Sequence, residues 1–110
     1  MRDVKDELKI KEELIIFVMK WNWYLKRGWS FTASLKLIGE EITNLELKEV
    51  ISEIYTDIMN GANFSASIKK FPDIFDTGMV AFIEGGEYYG ILETVFGMLP
   101  ELISRQLCVE

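Results

Sequence analysis

Three glycines within six residues, Gly85, Gly86 and Gly90, stand in a stretch that otherwise reads as helix, and they set the first limit on the fold. Glycine inside a helix costs about 1 kcal/mol relative to alanine, because it gives up the most backbone freedom on folding. A continuous helix over residues 82–92 is therefore disfavoured, and the spacing predicts a tight helix–turn–helix corner where two backbones pass closely. On this reading a short helix over about 77–84 precedes the corner. Glu87 then lies near the start of the last helix, where its charge complements exposed N–H groups and the helix dipole. Taken alone, the stretch is a packing corner with one capping acid.

The rest of the chain repeats this punctuation. Residues 3–27 read as a long helix whose Leu14, Phe17, Val18, Trp21 and Leu25 keep the spacing of a core-facing stripe. Ile16, Met19 and Trp23 form a second stripe, so this helix is either central or meets another molecule on one face. Gly28 ends it, with Lys26 and Arg27 suited to the dipole, and Ser30 caps a helix over about 31–42. Thr43 and Glu46 match a capping box opening a helix to about Asn60, with Leu47, Val50, Ile51, Ile54, Tyr55 and Ile58 on its apolar face. Its other face carries Glu46, Glu49, Glu53 and Asp57, an acidic stripe that ordinarily is a solvated face.

Gly61 closes that helix and begins a second copy of the first corner. Gly28, Phe31, Ala33, Ser34 and Lys36 coincide with Gly61, Phe64, Ala66, Ser67 and Lys69 at an offset of 33 residues. Each copy has a glycine ending a helix, a polar cap, a phenylalanine anchoring the next turn, and small residues that let helices approach. The tetratricopeptide pattern is absent, and two copies are too few for a solenoid. Pro72 disfavours helix at Phe71, Asp73 or Asp76 can cap the helix after it, and Pro100 should kink or break a final helix running to about Leu107. That helix offers Leu92, Val95, Phe96, Leu99, Leu102 and Ile103 as its apolar face. The fold class is all-α, a compact bundle of about five to six short helices in a single domain over residues 1–110.

Composition excludes several functions. The net charge is −6 with no histidine, and Lys26-Arg27 and Lys69-Lys70 are the only adjacent basic pairs, so nucleic acid is not an expected partner. The single cysteine, Cys108, forms no internal disulfide and fits a reducing compartment. The longest apolar run, Leu14 to Met19, is far short of the roughly 20 residues of a membrane span. Catalysis has no constellation to carry it: serines and a cysteine are present without a base, and there is neither a phosphate loop nor a Glu-x-x-His pair. Glu84, Glu87 and Glu93 gather near the glycine corner and suit a hard cation such as calcium as a minor reading. No cofactor and no metal are expected.

The order of these features carries a resemblance. Gly28 with Phe31, Gly61 with Phe64, Ser65 and Ser67, then Phe71-Pro72-Asp73-Ile74-Phe75, then Gly86-Glu87-Tyr88-Tyr89-Gly90-Ile91-Leu92 succeed one another across residues 14–107. Each motif is weak alone; the ordered set is specific. The sequence resembles the cytoplasmic domain of the type II secretion system protein F family, the inner-membrane platform proteins of type II secretion and type IV pilus assembly. Its departures are the aromatic run Trp21-Asn22-Trp23-Tyr24, a short lead-in that leans toward the pilus branch, and the lack of a membrane segment. Such platform proteins resemble two copies of this domain joined by membrane helices, so an excised domain is expected, the N-terminal copy if Met1 is the natural start.

The resemblance implies a non-catalytic scaffold on the cytoplasmic face of the inner membrane. It would couple an assembly ATPase and other platform proteins to pilin or pseudopilin subunits through the full-length protein, with a homodimer left open. Glu46, Glu49, Glu53 and Asp57 are candidates for meeting basic partner patches, and Trp23 with Ile16 and Met19 for an apolar contact. The alternative is a free-standing helical adaptor built on the two repeats. The family motif residues are Gly28, Gly61, Phe71, Pro72, Gly86, Glu87, Gly90 and Leu92, and for Glu87 helix capping is preferred over partner contact.

Overall fold

Helix ends, more than helices, carry the instructions in this chain. In a computed structural model, residues 4–108 are described, with side chains through residue 104. Among them are six helices and no strand: α1 Val4–Lys26, α2 Phe31–Glu41, α3 Leu45–Met59, α4 Phe64–Ile68, α5 Thr77–Tyr89 and α6 Leu92–Cys108. The cysteine side chain and the residues before Val4 lie outside the described set. The all-α bundle expected from the sequence is the observed architecture, with a radius of gyration of 13.2 Å.

Three glycines with positive φ close helices at Gly28 (92°), Gly61 (102°) and Gly90 (71°), a conformation that side chains disfavour. At each, the next residue's N–H reaches back to a carbonyl five residues earlier: Trp29 to Tyr24 (3.2 Å), Ala62 to Asp57 (3.0 Å) and Ile91 to Gly86 (2.8 Å). The glycine N–H satisfies a second carbonyl, Leu25, Ile58 and Glu87 respectively. These are Schellman ends, which absorb carbonyls that would otherwise lack partners. Starts are capped by side chains: Ser30 accepts from the Ala33 N–H, Asn44 from Leu47 and Asp76 from Met79. The third helix therefore begins one residue later than a Thr43 cap would place it.

Two expectations about helix continuity also fail, both because packing outweighs propensity. The helix before the glycine corner does not stop near residue 84; α5 runs through Gly85 and Gly86 to Tyr89. Gly86 is buried against α6, where an added Cβ would lie 2.7 Å from Val95 Cγ2 and 3.3 Å from Leu92 Cα. Hydrogen alone fits, and the burial of Met79, Val80 and Ile83 on the same face offsets the propensity cost. The turn comes instead at Gly90. Pro100 likewise lies within an unbroken α6. The core residues Val95, Phe96 and Leu99 before it and Ile103 after it hold both halves against the bundle.

The core centres on Trp21, which is fully buried. Its ring lies 4.6 to 5.3 Å from those of Phe17, Phe31, Phe64 and Phe96, drawn from four helices. Its indole N–H donates to the buried Ser34 hydroxyl at 2.9 Å, so the largest core side chain leaves no polar atom unsatisfied. The first α1 stripe is wholly buried, and the most extensive helix pairing is α1 on α6.

Candidate interaction surface

The motif residues hold the bundle together. Gly28, Gly61 and Gly90 end helices, Gly86 permits the α5–α6 approach, and Leu92 opens α6 half-buried against the core. Phe71 packs on the core beside exposed Pro72, and its carbonyl accepts from the N–H groups of Ile74 and Phe75, which turns the chain between α4 and α5.

Glu87 is a cap, but not where the corner reading put it. It lies in the last turn of α5, and its carboxylate reaches α4. Oε2 accepts from the Ser65 N–H at 2.9 Å and Oε1 from the Ser65 hydroxyl at 2.7 Å. The local cap position of α4, Asn63, makes no side-chain capping hydrogen bond, so α5 supplies what the sequence next to α4 does not. No local signal at Ser65 announces this, because the pair is separated by 22 residues.

The acidic stripe of α3 is divided. Glu46 and Glu49 are exposed on its first half. On its second half, Lys70 binds Glu53 at 2.8 Å and Asp57 at 2.7 Å, and the buried Ser67 hydroxyl donates to Asp57 at 2.7 Å. The hydrogen bonds from Lys70 and then Ser67 hold the Asp57 carboxyl below its ordinary value; Asp57 and then Glu53 hold Lys70 above its own. Glu53 and Asp57 of the expected basic-partner face are thus already matched by a lysine of this chain. Near the glycine corner, Glu84 pairs with Lys69 at 2.6 Å, and among the described residues no group of three or more His, Cys, Asp or Glu is gathered to hold a metal. The carboxylates of Glu84, Glu87 and Glu93 do not form the expected cluster.

The second α1 stripe faces outward, with Ile16, Met19 and Trp23 each about half exposed. Lys20 bridges to Glu41 at 3.2 Å across a shallow groove between α1 and α2. Beyond it the aromatics close into a chain that the stripe pattern did not reveal: Trp23 on Tyr24 (5.1 Å), Tyr24 on Trp29 (5.3 Å), and the Arg27 guanidinium 3.6 Å above the Trp23 ring. Lys48 of α3 donates to the carbonyls of Gly39, Glu40 and Ile42 at the end of α2, a second contact with no sequence signature.

This helical bundle, closed by glycine ends and held by Glu87, belongs to the family described as type II secretion system protein F, which matches residues 17–107. More particularly, it is similar to the type IV pilus assembly protein PilC of Myxococcus xanthus, 23% identical over 88 residues, covering 80% of this chain and 21% of that protein. TapC of Aeromonas hydrophila, another type IV pilus assembly protein, is 28% identical over 72 residues, covering 66% of this chain and 17% of its own. PilC of Thermus thermophilus is 24% identical over 96 residues, covering 87% and 23%. The chain spans about a fifth of the length of these curated relatives. Among the described residues, no helix is long and apolar enough to cross a membrane.

Proposed function

We propose that this chain is a non-catalytic scaffold domain of an inner-membrane platform protein for type IV pilus assembly or type II secretion, placed on the cytoplasmic face. The observation that carries the reading is the family match across residues 17–107, together with relatives named for type IV pilus assembly. In this role the domain is the part of a longer platform protein that meets the assembly ATPase and other platform components and couples them to pilin or pseudopilin subunits. Its construction supports such a task. Helix ends are tied by backbone bonds, and one helix is capped from a neighbouring one, which suits a rigid coupling part.

The exposed first half of the α3 stripe, Glu46 and Glu49, is the proposed acidic contact, and Ile16 and Met19 on α1 the proposed apolar one. Glu53 and Asp57 contribute less because Lys70 already occupies them. The test is co-purification of the cognate assembly ATPase with this protein at low and high salt, beside a Glu46→Lys/Glu49→Lys variant. Salt-sensitive capture that the variant loses with its helical content intact is the expected result. Capture equal in both proteins would remove α3 from the contact.

A further inference from the structure

The two glycine corners offer an internal control for what a Schellman turn requires. Both make the same backbone bonds at an offset of 33 residues, yet Trp23, Tyr24, Lys26, Arg27 and Trp29 of the first become Thr56, Asp57, Met59, Asn60 and Ala62 in the second. The second corner makes these backbone bonds with neither tryptophan nor cation, although at the first Lys26 and Arg27 also suit the helix dipole and Arg27 donates to the Trp23 carbonyl at 3.3 Å. The adjacent basic pairs differ in the same sense. Lys69 and Lys70 are neutralised by Glu84, Glu53 and Asp57, whereas among the described residues no carboxylate pairs with Lys26 or Arg27. The one acid lining the groove beside Trp23, Glu41, is bound to Lys20. Residues 26–30 are all exposed, and Trp23 and Trp29 keep 49% and 46% of their surface open.

We infer that the α1–α2 corner docks into the headgroup layer of a bilayer containing anionic lipid. Indole and phenol rings prefer that layer because one edge is apolar and the other hydrogen-bonds, and lysine and arginine at the same level meet lipid phosphate. Arg27 stacked on Trp23 brings both requirements to one place. A bilayer suits the shape better than a protein does. The exposed turn is only a few residues long, and a stable protein contact uses about 800 Å² of each partner. The chain's overall charge of −6 opposes approach to anionic lipid. At physiological salt, however, charges act over only about 8 Å, so the local pair decides the encounter. The inference deepens the scaffold reading, on which its cellular meaning rests, by giving the domain its own membrane contact.

The test is sedimentation of the folded chain with phosphatidylcholine vesicles, with and without a minor fraction of phosphatidylglycerol, at about 0.15 M salt. Tryptophan quenching by brominated acyl chains is read on the same samples. Binding to the anionic vesicles is expected, with quenching of Trp23 and Trp29. It should weaken roughly tenfold or more in Lys26→Glu/Arg27→Glu, and quenching should vanish in Trp23→Ser/Trp29→Ser. A Met59→Ser change at the second corner should alter nothing. No association of the wild-type chain, or association unchanged in both double variants, overturns the proposal and returns the corner to the set of protein contacts. Quenching of the unaltered protein decides the matter even if a variant misfolds. The assay holds no ATPase or pilin, so its failure would leave the scaffold reading standing.

Discussion

The first and second glycine corners share a backbone and pack on one aromatic core, and they differ in the polar contacts added to it. Around Gly28 the lock is a neutral core: Trp21 fills the centre, donates to Ser34, and packs on Phe31, while Ser30 caps α2 within its own turn. Around Gly61 the counterpart of Trp21 is Ile54; Phe64 joins the same aromatic core, and a polar network is added to it. Ser67 binds Asp57, Lys70 binds Asp57 and Glu53, and α4 is capped from α5 by Glu87. The repeated pattern therefore specifies a turn, while each turn's stability is decided by what packs beside it. A buried aromatic lock is insensitive to salt and pH; a partly exposed charged one is sensitive to both.

The sharpest way to break the comparison is Trp21→Ala. It should cost about 3–5 kcal/mol in urea unfolding, because it empties the centre of the core and leaves Ser34 without its donor. A cost near that of an ordinary surface change would mean the first corner is not organised by its indole. Next come Gly28→Ala and Gly61→Ala, each expected to cost about 1–2 kcal/mol through left-handed strain alone. No atom lies within 4 Å of an added Cβ at either glycine, so the two costs should agree. A large inequality would show that the turns are not equivalent.

Glu87→Ala tests the remote cap. It should cost about 1–2 kcal/mol, at least as much as Ser30→Ala, since it removes two bonds to α4 where Ser30 gives α2 one backbone cap. Were Glu87→Ala neutral, α4 would not depend on α5. The smallest effect belongs to Asp57→Asn. The Asp57 carboxyl titrates below its ordinary value of 3.8, so its contribution is present above that value and lost as pH falls through the lowered one. Lys70, raised above 10.5, contributes fully below that value and loses its contribution as pH rises through the raised one. Asp57→Asn should lower the urea midpoint at neutral pH and not in strong acid. An offset equal at both pH values would assign the effect to packing.

Periodicity and helix-end chemistry were enough to read most of the architecture. The buried α1 stripe, the Gly28 and Gly61 ends and the Ser30 and Asp76 caps depend on residues within a few positions of one another, and such local preferences need no partner. The sequence order of the motifs was likewise enough to place the chain in its family. Tertiary structure alone decided where α5 ends, since the burial of Gly86 under Val95 offsets a propensity that favours stopping. It also decided which helix Glu87 caps, which acids Lys70 removes from the surface, and that Arg27 stacks on Trp23. Local rules score each residue against its own helix. These outcomes depend on distances between helices, which exist only once the core around Trp21 has brought them together.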